Sequence, residues 1–454
     1  MTGLPENRDS FGSRFGVIAA TAGSAIGLGN IWRFPYVAGE NGGGAFLIIY
    51  LGFIVLIGIP VMLSEFTIGR SAQRNVFGSF RKLAPGKPWY LIGLMGVAAA
   101  FMILAFYTAV AGWTLEYIFQ SVINGFKGQN AQELNSMYFS FIGSNFRPLL
   151  WFFLFMVLTA VIIMAGVQKG IEKYTKVLMP VLLVLLLALV IRSVTLPGAG
   201  SGLAFLFKPD FSKITTSTIL EALGQAFFSL SIGMGTLITY GSYIQRSDNL
   251  GSTAVSVAFA DTFIAILAGM AIFPAVFAFN IEPDAGAGLV YITLPNIFQQ
   301  MPGGYFFSLM FFILLGVAAL TSTISVLEVI VAFFVEELKL KRKAATLLAT
   351  GSVSVLGILC VLSFSSMSDF KLLGFTVFDL MDFTSANILL PLGGFFIVIF
   401  VAWFLGREKA AEELSNQGKL RTAYIPFFMF IIKFLAPLAI AFIFLQGVGL
   451  IKLN

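Results

Sequence analysis

The chain of 454 residues is 58% hydrophobic and only 11% charged, and its formal net charge at pH 7 is +6. A soluble domain carries about a quarter charged residues, so this composition excludes a water-soluble globular protein and indicates a chain that is solvated mainly by a lipid bilayer. The sequence has no His and a single Cys, which removes the commonest general base and zinc ligand. We therefore expect no enzymatic activity.

Eleven apolar runs are long enough to cross a bilayer as helices. They predict an all-α integral membrane protein with about eleven transmembrane helices, forming a single membrane domain over residues 1–454. The polar stretch 124–147 is predicted to be a loop, and no cleavable signal peptide is expected. The predicted spans, numbered 1 to 11 in chain order, are 15–36, 44–68, 89–123, 148–166, 176–195, 217–243, 253–279, 305–336, 344–365, 372–405 and 425–448.

The distribution of Lys and Arg predicts the orientation of these spans. Of 28 basic residues, nineteen lie in the segments on the same side as the N-terminus and seven on the opposite side. This bias predicts a cytoplasmic N-terminus and an external C-terminus. We attribute the positive net charge to orientation rather than to an acidic or nucleic-acid partner.

Spans 1 and 6 each contain two glycines near mid-span, Gly27 and Gly29 in one and Gly233 and Gly235 in the other. Each glycine in a helix interior costs about 1 kcal/mol relative to Ala. Close helix packing through small residues is one explanation. Breaks at corresponding places in two halves are instead typical of transporters with internal repeats. They predict an inverted 5+5 repeat, with one half about 15–195, the other about 217–405, and an extra helix about 425–448.

Broken helices would present half-helix N-termini, which suit a carboxylate, and free carbonyl oxygens, which suit a hard cation such as sodium. A channel or a substrate sensor on the same scaffold is the alternative. A channel would need a continuous polar pore, whereas the polar residues here are clustered. A membrane enzyme would need a nucleophile and base pair, which the sequence does not offer.

The residues of the first break belong to a longer motif. Residues 27–36, Gly-Leu-Gly-Asn-Ile-Trp-Arg-Phe-Pro-Tyr, and residues 40–46, Glu-Asn-Gly-Gly-Gly-Ala-Phe, closely resemble the signature of the neurotransmitter:sodium symporter family. The resemblance runs through spans 1–10 and is strongest to the family's bacterial amino acid transporters. It implies sodium-coupled symport of hydrophobic L-amino acids, aliphatic and aromatic, into the cell across the plasma membrane by alternating access.

The resemblance further implies two bound sodium ions. At the first sodium site the ligands would come from Ala25, Asn30, Ser229 and Asp261, together with the carboxylate of the substrate. At the second sodium site they would come from Gly23, Ile26, Ala318, Thr321 and Ser322. Positions 318, 321 and 322 share one helix face. Without the resemblance, the hydroxyls of that face would equally be interpreted as helix–helix hydrogen bonds.

Asp261 departs from the pattern that the resemblance implies, because a bacterial member of the family has Asn at this position. An acidic residue within a membrane span is costly and indicates function. We interpret Asp261 as a sodium ligand that also supplies the negative charge that other members obtain from chloride.

The substrate-binding residues implied by the resemblance surround the two breaks. Amides near Leu28 and Gly29 and the Tyr107 hydroxyl would bind the substrate carboxylate. Gly27 replaces the Asp of amine carriers, which favours an amino acid. The flexible Met234 favours a pocket that accepts aromatic side chains, although such residues are more often plain core. The full predicted set is Ala25, Leu28, Gly29, Ile103, Tyr107, Phe228, Ser231, Met234, Thr323 and Val326.

The resemblance also implies gates at both ends of the path. Arg33 and Asp382 would form the outer pair, with Tyr107 and Phe228 as a lid beneath them. Arg8 and Glu336 would form the cytoplasmic latch. Two further features are expected to support the gates: Glu65, buried in span 2, would bond backbone freed by the break in span 6, and the Gly170 to Pro180 segment would let span 5 unwind.

Overall fold

The computed structural model describes residues 9–281 and 288–451. All regular structure in these ranges is helical, as predicted. Nine of the described helices are long and apolar enough to cross a membrane unaided. They are spans 2 to 5 and 7 to 11: Gly44–Ala72, Tyr90–Val122, Phe146–Met164, Val167–Val194, Leu250–Ala278, Gly304–Glu337, Arg342–Leu362, Val377–Leu414 and Ile425–Gly447.

Span 1 is broken as the sequence predicts. Its halves, Arg14–Ala25 and Gly29–Glu40, meet at a bend of 53°. The Ser13 hydroxyl accepts a hydrogen bond from the Gly16 amide at 3.0 Å and so caps the first half. The helix ends where Ile26 adopts an extended conformation, with ψ of 105°.

Span 6 is broken over a longer segment, between the helices Thr216–Ser229 and Thr236–Gly241. Ser231, Gly233 and Gly235 have φ of 54°, 85° and 77°, a left-handed backbone that interrupts the helix. The nine continuous helices and the bent pair of span 1 give ten candidate spans within the described residues, and span 6 as the eleventh remains a prediction. The grouping of spans 1–5 and 6–10 into repeats remains a prediction.

The break in span 6 is held by spans 2 and 10. The Gly233 amide donates to Glu65 Oε1 at 2.8 Å, so the buried carboxyl does bond backbone that the break releases. A Cβ atom on Gly233 would lie 2.2 Å from the Leu390 carbonyl oxygen, and one on Gly393 would lie 2.3 Å from the Gly233 carbonyl oxygen. Span 10 can therefore approach the break this closely only because both positions are glycine.

The prediction that 124–147 is a loop is wrong, because residues Ala131–Ile142 form a helix. Its start is fixed by a capping box in which Asn130 and Glu133 each bond the other's backbone amide. Span 10 begins at Val377 rather than at 372, because the Thr376 hydroxyl caps it there. Further non-spanning helices are Val76–Leu83, Ala199–Phe207, Phe211–Lys213, Leu289–Thr293 and Leu294–Gln300.

The two breaks lie at the centre of the helix bundle. The first half of span 1 packs against spans 5, 7 and 8, and span 3 runs along span 8 for much of its length. The second half of span 6 packs against spans 2 and 8. Side chains from spans 3 and 8 are thereby brought up to the unwound backbone of spans 1 and 6.

Candidate functional site

A cavity lies between the two breaks and the facing surfaces of spans 3 and 8. Most of the predicted substrate-binding residues contribute to its wall. The lining residues are Ser24, Ala25, Gly27, Gly29, Ile103, Leu104, Tyr107, Phe228, Ser231, Met234, Ser322 and Val326. The wall is mainly apolar, with hydroxyl and backbone groups at one side.

Two predicted substrate contacts lie outside this wall. Thr323 is fully buried, and its hydroxyl is 2.9 Å from that of Thr159 on span 4. It therefore faces away from the cavity, because its position on span 8 differs by one residue from that of Ser322, which does line it. The side chain of Leu28 is also absent from the lining, but its amide donates to the Tyr107 hydroxyl at 3.0 Å.

Gly27 lies where side chains of span 3 and span 8 contact the break of span 1. A Cβ atom at this position would be 2.3 Å from Ser322 Oγ and 2.8 Å from the Tyr107 hydroxyl oxygen. The Gly27 amide donates to Asn30 Oδ1 at 3.0 Å. Asn30 thus satisfies a backbone amide that the break releases, and no larger residue fits at position 27 without moving its neighbours.

The four side chains of one buried polar cluster come from spans 1, 2, 6 and 7. Asn30 Nδ2 lies 2.7 Å from Asp261 Oδ1 and 3.0 Å from Ser229 Oγ. The Ser229 hydroxyl donates to Asp261 Oδ2 at 2.8 Å, and the Tyr50 hydroxyl lies 3.4 Å from the same oxygen. Three of the residues predicted for the first sodium site are therefore neighbours. Ala25, the fourth, lies in the cavity wall.

A second group of oxygens joins span 1 to span 8. The hydroxyls of Thr321 and Ser322 each lie 3.5 Å from the Ile26 carbonyl oxygen. Thr321 Oγ1 is also 3.0 Å from the Ala318 carbonyl oxygen. A Cβ atom on Gly23 would contact Thr321 at 3.4 Å. All five residues predicted for the second sodium site thus lie around one point.

The chemistry of both clusters fits a monovalent cation of hard character. The second cluster offers neutral carbonyl and hydroxyl oxygens, and the first adds one carboxylate. Hard cations are held by oxygen ligands of these kinds. No group of three or more His, Cys, Asp or Glu side chains that could hold a metal ion occurs within 9–281 and 288–451, so the donor sets do not resemble a transition-metal centre.

The two residues of the predicted outer gate do not form an ion pair. Arg33 and Asp382 do not approach within 4.0 Å, and Asp382 is exposed. The Arg33 guanidinium instead lies 4.5 Å from the centre of the Phe228 ring, a cation–π contact. Phe228 in turn packs on Gly29, where a Cβ atom would be 3.1 Å from the ring. Arg33 therefore stacks on a ring that lines the cavity.

Of the two residues predicted for the cytoplasmic latch, Glu336 is described and Arg8 lies outside the described residues. Glu336 Oε2 accepts from the Asn75 amide and from Asn75 Nδ2, both at 3.0 Å. Arg74 approaches the same carboxylate at 3.9 Å. These contacts tie the end of span 8 to the loop after span 2.

The start of span 1 is tied to span 5 through Glu172. This carboxylate accepts from the Gly12 amide at 2.6 Å, from the Ser13 hydroxyl at 2.9 Å and from Lys176 at 2.5 Å. A Cβ atom on Gly16 would lie 2.1 Å from Glu172 Oε1. The absence of a side chain at position 16 is what admits the carboxylate. Glu172 lies two residues after Gly170, in the segment that was predicted to unwind.

Several polar residues of the site were missed by the sequence analysis. The Tyr50 hydroxyl is the one polar side-chain group in an apolar stretch of span 2. Its isolation could have indicated a buried polar contact. Gln225 donates to the Gly29 carbonyl oxygen at 2.9 Å, and Ser24 bonds Ser325 at 2.9 Å. Ser231, which was predicted, donates to the Ser24 carbonyl oxygen at 3.0 Å. These contacts brace the two breaks against spans 2 and 8.

The chain matches a known protein family over almost its whole length. The model of the Sodium:neurotransmitter symporter family matches residues 8–142 and 139–453. An uncharacterized sodium-dependent transporter of Bacillus subtilis, YhdH, is 40% identical over 97% of this chain and 98% of its own length. An uncharacterized sodium-dependent transporter of Haemophilus influenzae is 39% identical over 98% of this chain and 100% of its own length.

A solved structure is similar over almost the whole chain. The crystal structure of MhsT in complex with L-phenylalanine is 48% identical in sequence, with a TM-score of 0.89. The match covers 97% of this chain and 100% of that one.

Proposed function

Because this chain belongs to the sodium:neurotransmitter symporter family, which comprises sodium-dependent membrane transporters rather than enzymes, we propose that it carries hydrophobic L-amino acids into the cell together with sodium. The observation that carries the proposal is the cavity between the two breaks, which is apolar where a side chain would lie and polar where backbone is unwound. The L-phenylalanine bound to the similar MhsT supports the same class of substrate.

The substrate carboxylate would bind at the break of span 1. Gly27 and Gly29, at the start of the second half of span 1, line the cavity, and a helix N-terminus favours an anion. The Tyr107 hydroxyl, which accepts from the Leu28 amide, can donate to the same carboxylate. The amino group would meet the Ser231 hydroxyl and carbonyl oxygens at Ala25 and Phe228. A substrate without a carboxylate or without an amino group would leave polar groups of the site buried and unpaired, which is costly. The site would therefore select a zwitterion.

The side chain of the substrate would lie among Ile103, Phe228, Met234 and Val326. None of these residues carries a charge, so an aliphatic or aromatic side chain is favoured. Met234 lies within the break of span 6, between Gly233 and Gly235, and is 4% exposed. Its unbranched thioether adapts to different shapes, which suits both leucine-like and tryptophan-like side chains.

Two sodium ions would couple transport to the cation gradient. The first would use Ala25, Asn30, Ser229 and Asp261 and be completed by the substrate carboxylate, so that cation and substrate bind better together than apart. The second would use Gly23, Ile26, Ala318, Thr321 and Ser322 and bridge span 1 to span 8. Occupation of both would favour one arrangement of span 1 relative to spans 7 and 8.

Alternating access would then open the cavity first outward and afterwards inward. Arg33, Phe228 and Asp382 would control the outer side, and Arg8 and Glu336 the cytoplasmic side. With basic residues concentrated on the side of the N-terminus, the N-terminus would be cytoplasmic and the C-terminus external, in the plasma membrane.

Equilibrium binding of radiolabelled L-phenylalanine to the purified protein tests the substrate class. We expect binding in sodium but not in potassium buffer, competition by leucine and tryptophan, and much weaker competition by tryptamine, which has the same ring as tryptophan but no carboxylate. Competition by tryptamine as strong as that by tryptophan would contradict the amino-acid proposal and favour an amine carrier.

A further inference from the structure

Span 11 carries a cation on its membrane-facing surface. Lys433 is the ninth residue of Ile425–Gly447, about 12 Å along the helix from its first residue at a rise of about 1.5 Å per residue. Its ammonium lies 4.4 Å from the centre of the Trp403 ring and 5.7 Å from that of Phe434. In the part of the chain that the structure describes, no carboxylate lies within salt-bridge distance of Lys433.

The rings around Lys433 are turned outward from the helix bundle. Trp403 is 58% exposed and Phe434 49% exposed, and Phe430, one turn earlier on span 11, is 58% exposed. Because spans 10 and 11 cross the membrane, this exposed aromatic surface contacts lipid. A Lys at the centre of a bilayer costs about 2.5–3.5 kcal/mol on insertion scales, so its ammonium is expected to extend toward the nearer interface and a counter-charge there.

The nearer interface is the basic one. The segment that joins spans 10 and 11 contains Arg407, Lys409, Lys419 and Arg421, which marks it as cytoplasmic. Phe404, next to Trp403, makes a second cation–π contact, because Lys87 Nζ lies 4.8 Å from the centre of its ring. The end of span 10 therefore places lysines over two successive aromatic rings, in the leaflet that is rich in anionic lipid.

We propose that Lys433, Trp403 and Phe434 form a binding site for an anionic phospholipid of the cytoplasmic leaflet. The ammonium binds the lipid phosphate, the indole lies at the level of the headgroup, where Trp is enriched, and Phe434 contacts the acyl chain. The site lies on the outer surface of span 11, so it is separate from the cavity between the breaks and does not depend on the identity of the transported substrate.

Fluorescence quenching in vesicles tests the site. The protein is reconstituted into phosphatidylcholine containing increasing fractions of brominated phosphatidylglycerol or, in parallel, brominated phosphatidylcholine. Because the chain has five Trp, the signal of Trp403 is isolated by subtracting that of Trp403→Phe, which keeps a ring beneath the ammonium. We expect brominated phosphatidylglycerol to quench Trp403 at about one-fifth of the fraction needed for brominated phosphatidylcholine, the effect of about one basic residue near the surface.

The variants separate a phosphate site from general surface charge. Lys433→Leu is expected to abolish the preference for phosphatidylglycerol and Lys433→Arg to retain it. Lys419→Leu, which removes an exposed lysine from the segment that joins spans 10 and 11, is expected to leave it unchanged. An excess of inorganic phosphate, which has the phosphate group but no acyl chain for Phe434 to contact, should not displace the brominated lipid. Equal quenching by the two lipids in the unmodified protein, or an undiminished preference in Lys433→Leu, would overturn the proposal.

Discussion

Asn30 donates a hydrogen bond of 2.7 Å to the carboxylate of Asp261, which links the break of span 1 to the middle of span 7. The Ser229 hydroxyl, from the last turn before the break of span 6, donates to the other carboxylate oxygen at 2.8 Å. Asp261 is completely buried. One acidic side chain therefore contacts both unwound segments, and a cation bound beside it would act on both.

Asp261 is predicted to make transport independent of chloride. Replacing chloride by gluconate should leave the initial rate of uptake unchanged, because the fixed carboxylate supplies the negative charge. In Asp261→Asn the rate of uptake should fall about tenfold or more. The new side-chain NH2 group would face a group that now donates to the carboxylate, either Asn30 Nδ2 or the Ser229 hydroxyl, and a buried donor without an acceptor costs about 1–3 kcal/mol. Asp369→Asn, in an exposed loop, is the matched control. A large loss of rate in gluconate would contradict this assignment.

The hydroxyls of span 8 are predicted to set the affinity for sodium. In Thr321→Ala/Ser322→Ala both hydroxyls near the Ile26 carbonyl oxygen are lost. The sodium concentration for half-maximal uptake should rise about tenfold or more, since each hydrogen-bonding or ligating oxygen contributes on the order of 1 kcal/mol. Ser352→Ala, whose hydroxyl bonds carbonyl groups within span 9, should behave as the unmodified protein. An unchanged sodium dependence in the double variant would remove span 8 from the cation site.

Met234 is predicted to determine how bulky a substrate can be. Met234→Phe places a rigid ring in the cavity wall, and overpacking typically costs about 1–3 kcal/mol. The apparent affinity for tryptophan should fall about fivefold or more, whereas that for leucine should change little. Competition binding with both ligands measures the difference. Equal effects on leucine and tryptophan would show that Met234 does not contact the side chain of the substrate.

Gly16 is predicted to control the tether between the N-terminal segment and span 5. In Gly16→Ala the new methyl group would displace the Glu172 carboxylate and break its hydrogen bond from the Gly12 amide. Hydrogen bonds to charged groups contribute about 1.5–3 kcal/mol, so the Gly12 amide should exchange with deuterium about tenfold faster or more.

Gly52→Ala is the matched control for this tether, because nothing lies within 4 Å of a Cβ atom at position 52 in span 2. Hydrogen–deuterium exchange followed by mass spectrometry would compare the two variants over the same peptides. If exchange at Gly12 were unaltered in Gly16→Ala, Glu172 would not hold the N-terminal segment in solution.

The sequence predicted those parts of the fold that depend on local chemistry. The glycine pairs of spans 1 and 6 mark helix breaks because a left-handed or extended backbone is most accessible to glycine, and the structure has breaks at both places. The helix Ala131–Ile142 was missed although Asn130 and Glu133 form a recognisable capping pattern, because the stretch was judged by its polarity alone.

Contacts between distant spans were harder to predict. Tyr50 and Gln225 reach the breaks from spans 2 and 6 through tertiary packing, and no local pattern specifies their partners. Thr323 was predicted to lie at the edge of the substrate pocket, yet a one-residue difference on span 8 turns its side chain toward Thr159. The resemblance that supplied Thr323 specifies which residues are near the site but not the direction of each side chain.

Sodium-driven uptake into proteoliposomes tests the central claim most directly. The protein is reconstituted with potassium inside, and uptake of radiolabelled L-phenylalanine is followed after dilution into sodium or into potassium buffer. We predict accumulation above the external concentration only with an inward sodium gradient, and its collapse when a sodium ionophore dissipates that gradient. Equilibration of phenylalanine to the external concentration regardless of sodium would contradict coupled symport and indicate a channel-like protein instead.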